Sequence, residues 1–196
     1  MQSSSWGWDV ARDPEASEPF TDRELEVVFE AAEADPSEWA VQAAKFLAYT
    51  GAHICVLSGG FRQETQKDGS IERWYQPAIR SDAIRGDRIH WARPKTERHV
   101  GIELSKYIRE WVAEWLELPR PLSRRRYGQV LARVGKQVHL QVNPLRFRHT
   151  CAVKLKQLGL TDREIQKRLG VSYQVMVLYI NDPRWVTAEK MRLGDW

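Results

Sequence analysis

Asn143-Pro144-Leu145-Arg146-Phe147-Arg148-His149-Thr150-Cys151-Ala152 reads as the opening of a helix. An asparagine side chain caps a helix start by accepting a backbone N–H. Proline suits the first helical position because the donor it lacks would go unpaired there anyway. The helix is expected to run to Leu158 and to close at Gly159. Its first turns carry Arg146, Arg148 and His149. By default such a group is a solvated pair on a basic helix, so its meaning depends on the sequence around it.

Downstream, Thr161-Asp162-Arg163-Glu164 is a capping box for a short helix ending at Gly170. Ser172 caps a further helix to about Asn181, ahead of Pro183, and that helix holds Tyr179 in the apolar run Val175 to Ile180. Residues 186–193 are expected to form a last helix. Upstream, Ser123 to Val134 reads as a basic helix. Ser105 caps a helix with Tyr107, Ile108, Trp111, Val112, Trp115 and Leu116 on its buried side. Between 71 and 104, short apolar pieces (Ile71, Trp74, Tyr75; Ile89, Trp91; Val100, Ile102, Leu104) alternate with turn signals at Gly86-Asp87 and Arg93-Pro94. Two or three antiparallel strands are expected, the last two joined through Pro94-Lys95-Thr96-Glu97. Residues 58–70 read as a loop. Thr21-Asp22-Arg23-Glu24 is another capping box, opening a helix to about Ala34; Ser37 is expected to cap a second helix that closes at Gly51. The fold class is therefore mainly α with a small antiparallel sheet (α+β). Residues 1–20 form a tail or linker, 21–185 the domain, and 186–196 a C-terminal segment.

The chain has 196 residues, enough for one substantial core, and 42% of them are hydrophobic. No apolar run approaches the roughly 20 residues of a membrane span. The N-terminus shows no basic segment followed by an apolar stretch, so a cytoplasmic protein is expected. Cys55 and Cys151 lack CxxC spacing, which argues against a zinc finger or a disulfide scaffold. Charge is unevenly placed. Residues 1–50 hold 3 Lys/Arg against 11 Asp/Glu, whereas residues 120–168 hold 13 basic and 2 acidic residues. A basic block of that density suits a polyanion, most often nucleic acid.

With this background the stretch from Asn143 to Ala152, followed by Gly159-Leu160, Ile165 to Gly170 and Tyr179, resembles the C-terminal half of a tyrosine recombinase (phage integrase) catalytic domain. The family pattern there is His-x-x-Arg-His-Thr, a helix ending in glycine, a Leu-Gly-His step and a nucleophilic tyrosine. The start at Phe20 to Leu25, Tyr49-Thr50-Gly51-Ala52-His53, and the Pro94-Lys95-Thr96 hairpin agree in outline. The resemblance implies a mostly helical fold with a small sheet at one edge. It also implies double-stranded DNA as partner, self-association on DNA, and neither a small-molecule substrate nor a metal or organic cofactor. The family places a core-binding domain before this one. Where only a tail precedes, the expectation is a fragment, or a minimal form gripping one face of DNA with strongly salt-sensitive affinity.

The chemistry fits these residue types. A tyrosine hydroxyl can attack phosphorus and hold the cut strand as a phosphotyrosine. Arginine donates a planar pair of hydrogen bonds to phosphate oxygens and never loses its charge. A lysine can protonate the leaving 5′-oxygen. The resemblance thus implies Tyr179 as nucleophile, Arg148 as phosphate clamp and Lys95 as general acid. Four positions depart from the pattern: His53 stands for the first arginine, Val56 for a glutamate, Leu145 for the histidine of His-x-x-Arg, and Val171 for the histidine after Leu-Gly. A protonated His53 would replace part of the missing arginine. Arg124, Arg125, Arg126, Arg146 and His149 are the candidates for DNA contact. The readings that stay open are recombination with weakened cleavage, a non-catalytic DNA-binding relative, and a helix-turn-helix regulator built from Thr161 to Ile180.

Overall fold

The computed structural model describes residues 18–65, 68–93, 96–104, 106–117, 123–171 and 173–180. The expected helix at 186–193 and the end segments lie outside them. The elements run α1 (Asp22–Glu33), α2 (Ala40–Thr50), α3 (Ile54–Ser58), β1 (Gly60–Thr65), β2 (Ile71–Gln76), β3 (Ile84–Arg85), β4 (Arg88–Arg93), β5 (Thr96–Glu103), α4 (Lys106–Glu117), α5 (Arg124–Gln137), α6 (Pro144–Gln157), α7 (Asp162–Leu169) and α8 (Tyr173–Ile180). Among the described residues no helix is long and apolar enough to cross a membrane.

Helix starts follow the caps. Thr21 and Thr161 form complete capping boxes with Glu24 and Glu164, and Ser123 and Asn143 each accept an N–H from the first turn of α5 and α6. Ser37 is the exception. Its sequence position predicts a cap for α2, yet that helix begins at Ala40 without a side-chain cap. The Ser37 N–H instead donates to Asp35, whose buried carboxylate also takes Nε and Nη2 of Arg133, both at 2.7 Å. This bond set fixes the α1–α2 turn against α5.

Those bonds hold the Asp35 carboxyl below its usual range, the Arg133 pair contributing most and burial opposing it less strongly. A depressed carboxylate stabilises the fold above its unfolded pKa, and that share is lost as pH falls through the folded value. Asp35→Asn is therefore expected to be less stable than wild type at pH 7. Its urea midpoint should also fall less steeply between about pH 5 and pH 2, where wild type loses this contribution. Parallel curves for the two proteins would refute the assignment.

The three-stranded sheet agrees with the expectation, and one further hairpin adds to it. β3, β4 and β5 form a three-stranded antiparallel sheet in which Ile89 faces Ile102 and Trp91 faces Val100. All four are buried, so one face of this sheet packs on the helices. The stretch 58–70, read as a loop, in fact supplies β1, which pairs with β2 as a separate hairpin. The hairpin is hard to see in the sequence because Gln63, Thr65, Ile71, Glu72, Arg73 and Tyr75 are all exposed. Among the side chains described, none shows the alternation that burial of one side would impose.

Two hydrophobic clusters result. The larger joins α1–α5, the three-stranded sheet and Phe147 of α6. The smaller holds Cys151, Ala152 and Leu155 of α6 with Ile165, Leu169, Met176 and Ile180 of α7 and α8. Helix α6 therefore belongs to both, and Arg148 lies on it between Phe147 and Cys151.

Candidate functional site

Arg148 is buried at this junction. Its Nη1 donates to the Gly51 carbonyl at 2.7 Å and its Nη2 to the Leu169 carbonyl at 2.6 Å. Gly51 closes α2 in the left-handed conformation, and Leu169 is the last residue of α7. Helix ends leave such carbonyls without intrahelical donors and carry partial negative charge. One guanidinium thus completes two helix C-termini, one from each cluster. A glycine is required at 51: φ is +60°, and a Cβ there would stand 2.3 Å from Leu169 Cδ2 and 3.1 Å from Cys151 Sγ. A guanidinium has five N–H donors, so three remain beyond the two carbonyl bonds.

His149, next in sequence, is also buried, and its ring centroid lies 4.2 Å from that of Tyr179, tilted by 50°. Tyr179 is half-buried on α8 and packs against the smaller cluster. The structure therefore brings His149 against Tyr179 where α6 meets α8, while the head of Arg148, one residue earlier, reaches the C-termini of α2 and α7. His149 lies against the tyrosine rather than standing as a surface group of its own.

The other expected residues divide. His53, two residues after Gly51, is exposed and caps α3: its Nδ1 accepts the Cys55 N–H at 3.3 Å and lies 3.0 Å from Cys55 Sγ. An accepting Nδ1 carries no proton. In this arrangement His53 is engaged as the cap of α3. Arg124, Arg125 and Arg126 are exposed in the first turn of α5. Three cations there oppose the helix dipole, which costs stability and concentrates positive potential at one point. Lys95 lies outside the described residues; β4 ends at Arg93 and β5 resumes at Thr96.

Arg146 requires a correction. Expected to contact DNA, it is buried and turned inward: Nε donates to the Glu18 carbonyl (2.8 Å), Nη1 to the Gln141 carbonyl (3.1 Å) and Nη2 to the Glu24 carboxylate (2.8 Å). Its guanidinium also sits 4.1 Å from the centre of the Phe20 ring. On a helix, positions two apart do not share a face, so Arg146 and Arg148 diverge. Arg146 ties the entering chain to α6, an attachment reinforced by the Phe20 N–H on Thr150 Oγ1 (2.8 Å) and by the Lys154–Asp22 pair. Cys151 is buried as expected, and burial pushes its thiol up to about 11 against the opposing pull of Arg168 and Arg148. Sequence reasoning overlooked Arg168 altogether. Among the described residues no group of three or more His, Cys, Asp or Glu could hold a metal ion.

No family model matches the chain, and no curated protein matches it in sequence. Solved structures do. XerA recombinase is 16% identical with a TM-score of 0.61, covering 91% of this chain and 66% of that one. A lambda integrase dimer bound to a COC′ core site is 18% identical with a TM-score of 0.61, covering 90% and 51%. The Tn1549 transposon integrase in complex with a circular intermediate DNA is 15% identical with a TM-score of 0.58, covering 84% and 61%. Likenesses at this identity show architecture, and the architecture is that of the tyrosine recombinase catalytic domain. The chain spans half to two thirds of the length of these structures.

Proposed function

We propose that the chain binds the phosphate backbone of double-stranded DNA and cleaves one strand slowly through Tyr179. The observation that carries this reading is the packing of Tyr179 on His149, the residue that follows Arg148, at the α6–α8 contact. The fold neighbours solved on DNA support the choice of partner.

In the proposed step Tyr179 Oη attacks the phosphorus, forming a tyrosine–phosphate ester with the DNA 3′-phosphate and breaking the bond to the 5′-oxygen. The phenolic proton passes to solvent. The 5′-oxygen takes a proton from Lys95 and leaves as a hydroxyl, and the reverse reaction reseals the strand. The donors of Arg148 not engaged with protein carbonyls take up charge developing on the non-bridging oxygens. In its capping form His53 carries its proton on Nε2 and contributes one neutral donor. Val56, Leu145 and Val171 bring no polar side-chain atom to the phosphate. One such donor typically accounts for about 10²–10³ in rate, and the losses are not additive, so cleavage is slow.

A second reading, DNA binding without cleavage, draws on the two bonds that commit Arg148 to protein carbonyls. A helix-turn-helix reader is disfavoured. Met176 and Ile180 are buried on α8, and Val177 and Tyr179 pack beside them, leaving little polar surface for base edges.

The salt dependence of binding tests the DNA reading. Replacing Arg124, Arg125 and Arg126 by alanine is expected to weaken binding of a 30-bp duplex. It should also flatten the slope of log K against log salt by roughly 0.9 for each phosphate that is no longer neutralised. Fluorescence anisotropy between 50 and 200 mM NaCl measures it. An unchanged slope and affinity would remove this face as the DNA-binding surface.

A further inference from the structure

Helix α7 ends in Lys167 and Arg168, where cations favour the helix dipole. An arginine serving only that purpose would extend its head into water along the surface. Arg168 instead turns its Nε inward, where the atom is buried and has no hydrogen-bond partner among the described residues. Buried polar groups in folded proteins are nearly always paired, so this donor calls for an explanation.

Its surroundings supply one. The carbonyl of the next residue, Leu169, receives Nη2 of Arg148. Leu169 and Cys151 both crowd Gly51, whose carbonyl receives Nη1. The buried Cys151 thiol feels the charge of both Arg168 and Arg148. Arg168 thus buries an unpaired donor one residue from the carbonyl that Arg148 holds, and among the described residues no carboxylate pairs with either guanidinium. Like charges gathered without a counter-charge are what a shared anion would neutralise. Gly51 also stands two residues before His53, the position where the family pattern places its first arginine.

We propose that Arg168 is the second phosphate-binding guanidinium of this site, donating through Nε to a non-bridging oxygen of the phosphodiester that Arg148 engages. The inference rests on the DNA reading above. It assigns to α7 the charge that α3 lacks.

The test uses the full chain and a fluorescein-labelled 30-bp duplex of arbitrary sequence. Arg168→Gln is expected to weaken binding about tenfold and to flatten the log–log salt slope by roughly 0.9, with Arg168→Lys restoring the slope. Wild-type affinity and slope in Arg168→Gln, alongside a clear loss in the Arg124/Arg125/Arg126 alanine variant, would overturn the role of Arg168 while leaving the DNA reading intact. No change in either variant would overturn both. A measurement on wild type guards against misfolding of the variants. The ¹⁵Nε–H resonance of Arg168, assigned from its absence in Arg168→Lys, is expected to shift on saturation with the duplex. A resonance that stays in place while the Arg124–Arg126 amides move would also refute the proposal.

Discussion

Arg148→Ala is expected to lower the free energy of unfolding by about 3–6 kcal/mol, from two hydrogen bonds by a charged donor at about 1.5–3 kcal/mol each. The bonds to Gly51 and Leu169 are short, and both carbonyls lie at helix C-termini. Removing the guanidinium leaves two inward carbonyls without their donor and uncouples α7 from α2. Arg148→Lys keeps the charge, yet one ammonium lacks the planar fork that reaches both acceptors at once, so it should recover less than half of the loss. Urea unfolding at pH 7 measures both variants. A loss below about 1 kcal/mol for Arg148→Ala would show that the two bonds contribute little. The same substitution should also reduce strand cleavage by about 10² or more, because the atoms that join the clusters belong to the group proposed to hold the phosphate. Rate comparisons therefore require conditions under which each variant is folded.

Tyr179→Phe should separate the two roles. It removes one oxygen and keeps the ring that packs 4.2 Å from His149. Stability is expected to change by less than about 1 kcal/mol, within the range of a single neutral hydrogen bond. Duplex binding should be unaffected. Covalent capture of DNA should vanish altogether, since phenylalanine has no nucleophile. A variant that still forms an adduct would place the nucleophile elsewhere.

Much of the helical frame is legible because local chemistry fixes helix ends. Thr21, Asn143 and Thr161 each cap the helix that their sequence announces. Ser37 misleads because its neighbour Asp35 bonds a residue 98 positions away, and a cap motif carries no information about such a partner. The β1–β2 hairpin is only half legible for the opposite reason: where the described side chains are exposed, polar residues and glycine look alike in strand and loop. Within the site, His149 and Tyr179 are both singled out by the sequence, and the fold sets one ring on the other. The direction of Arg146 is not, because it depends on Glu18, Glu24 and Phe20, which only the folded chain brings to it. Arg168 gives no signal, since a basic residue at a helix C-terminus is commonplace and only burial of its Nε sets it apart.

The most direct measurement is capture of the covalent intermediate. A pool of nicked duplexes of randomised sequence, in which the short strand beyond the nick dissociates after cleavage, prevents resealing and traps even a slow reaction. Wild-type protein at high concentration over hours should yield a denaturant-stable adduct, with peptide mapping placing the nucleotide on Tyr179. Complete absence of adduct under these conditions, with duplex binding intact, would contradict the catalytic account and leave a non-catalytic phosphate binder.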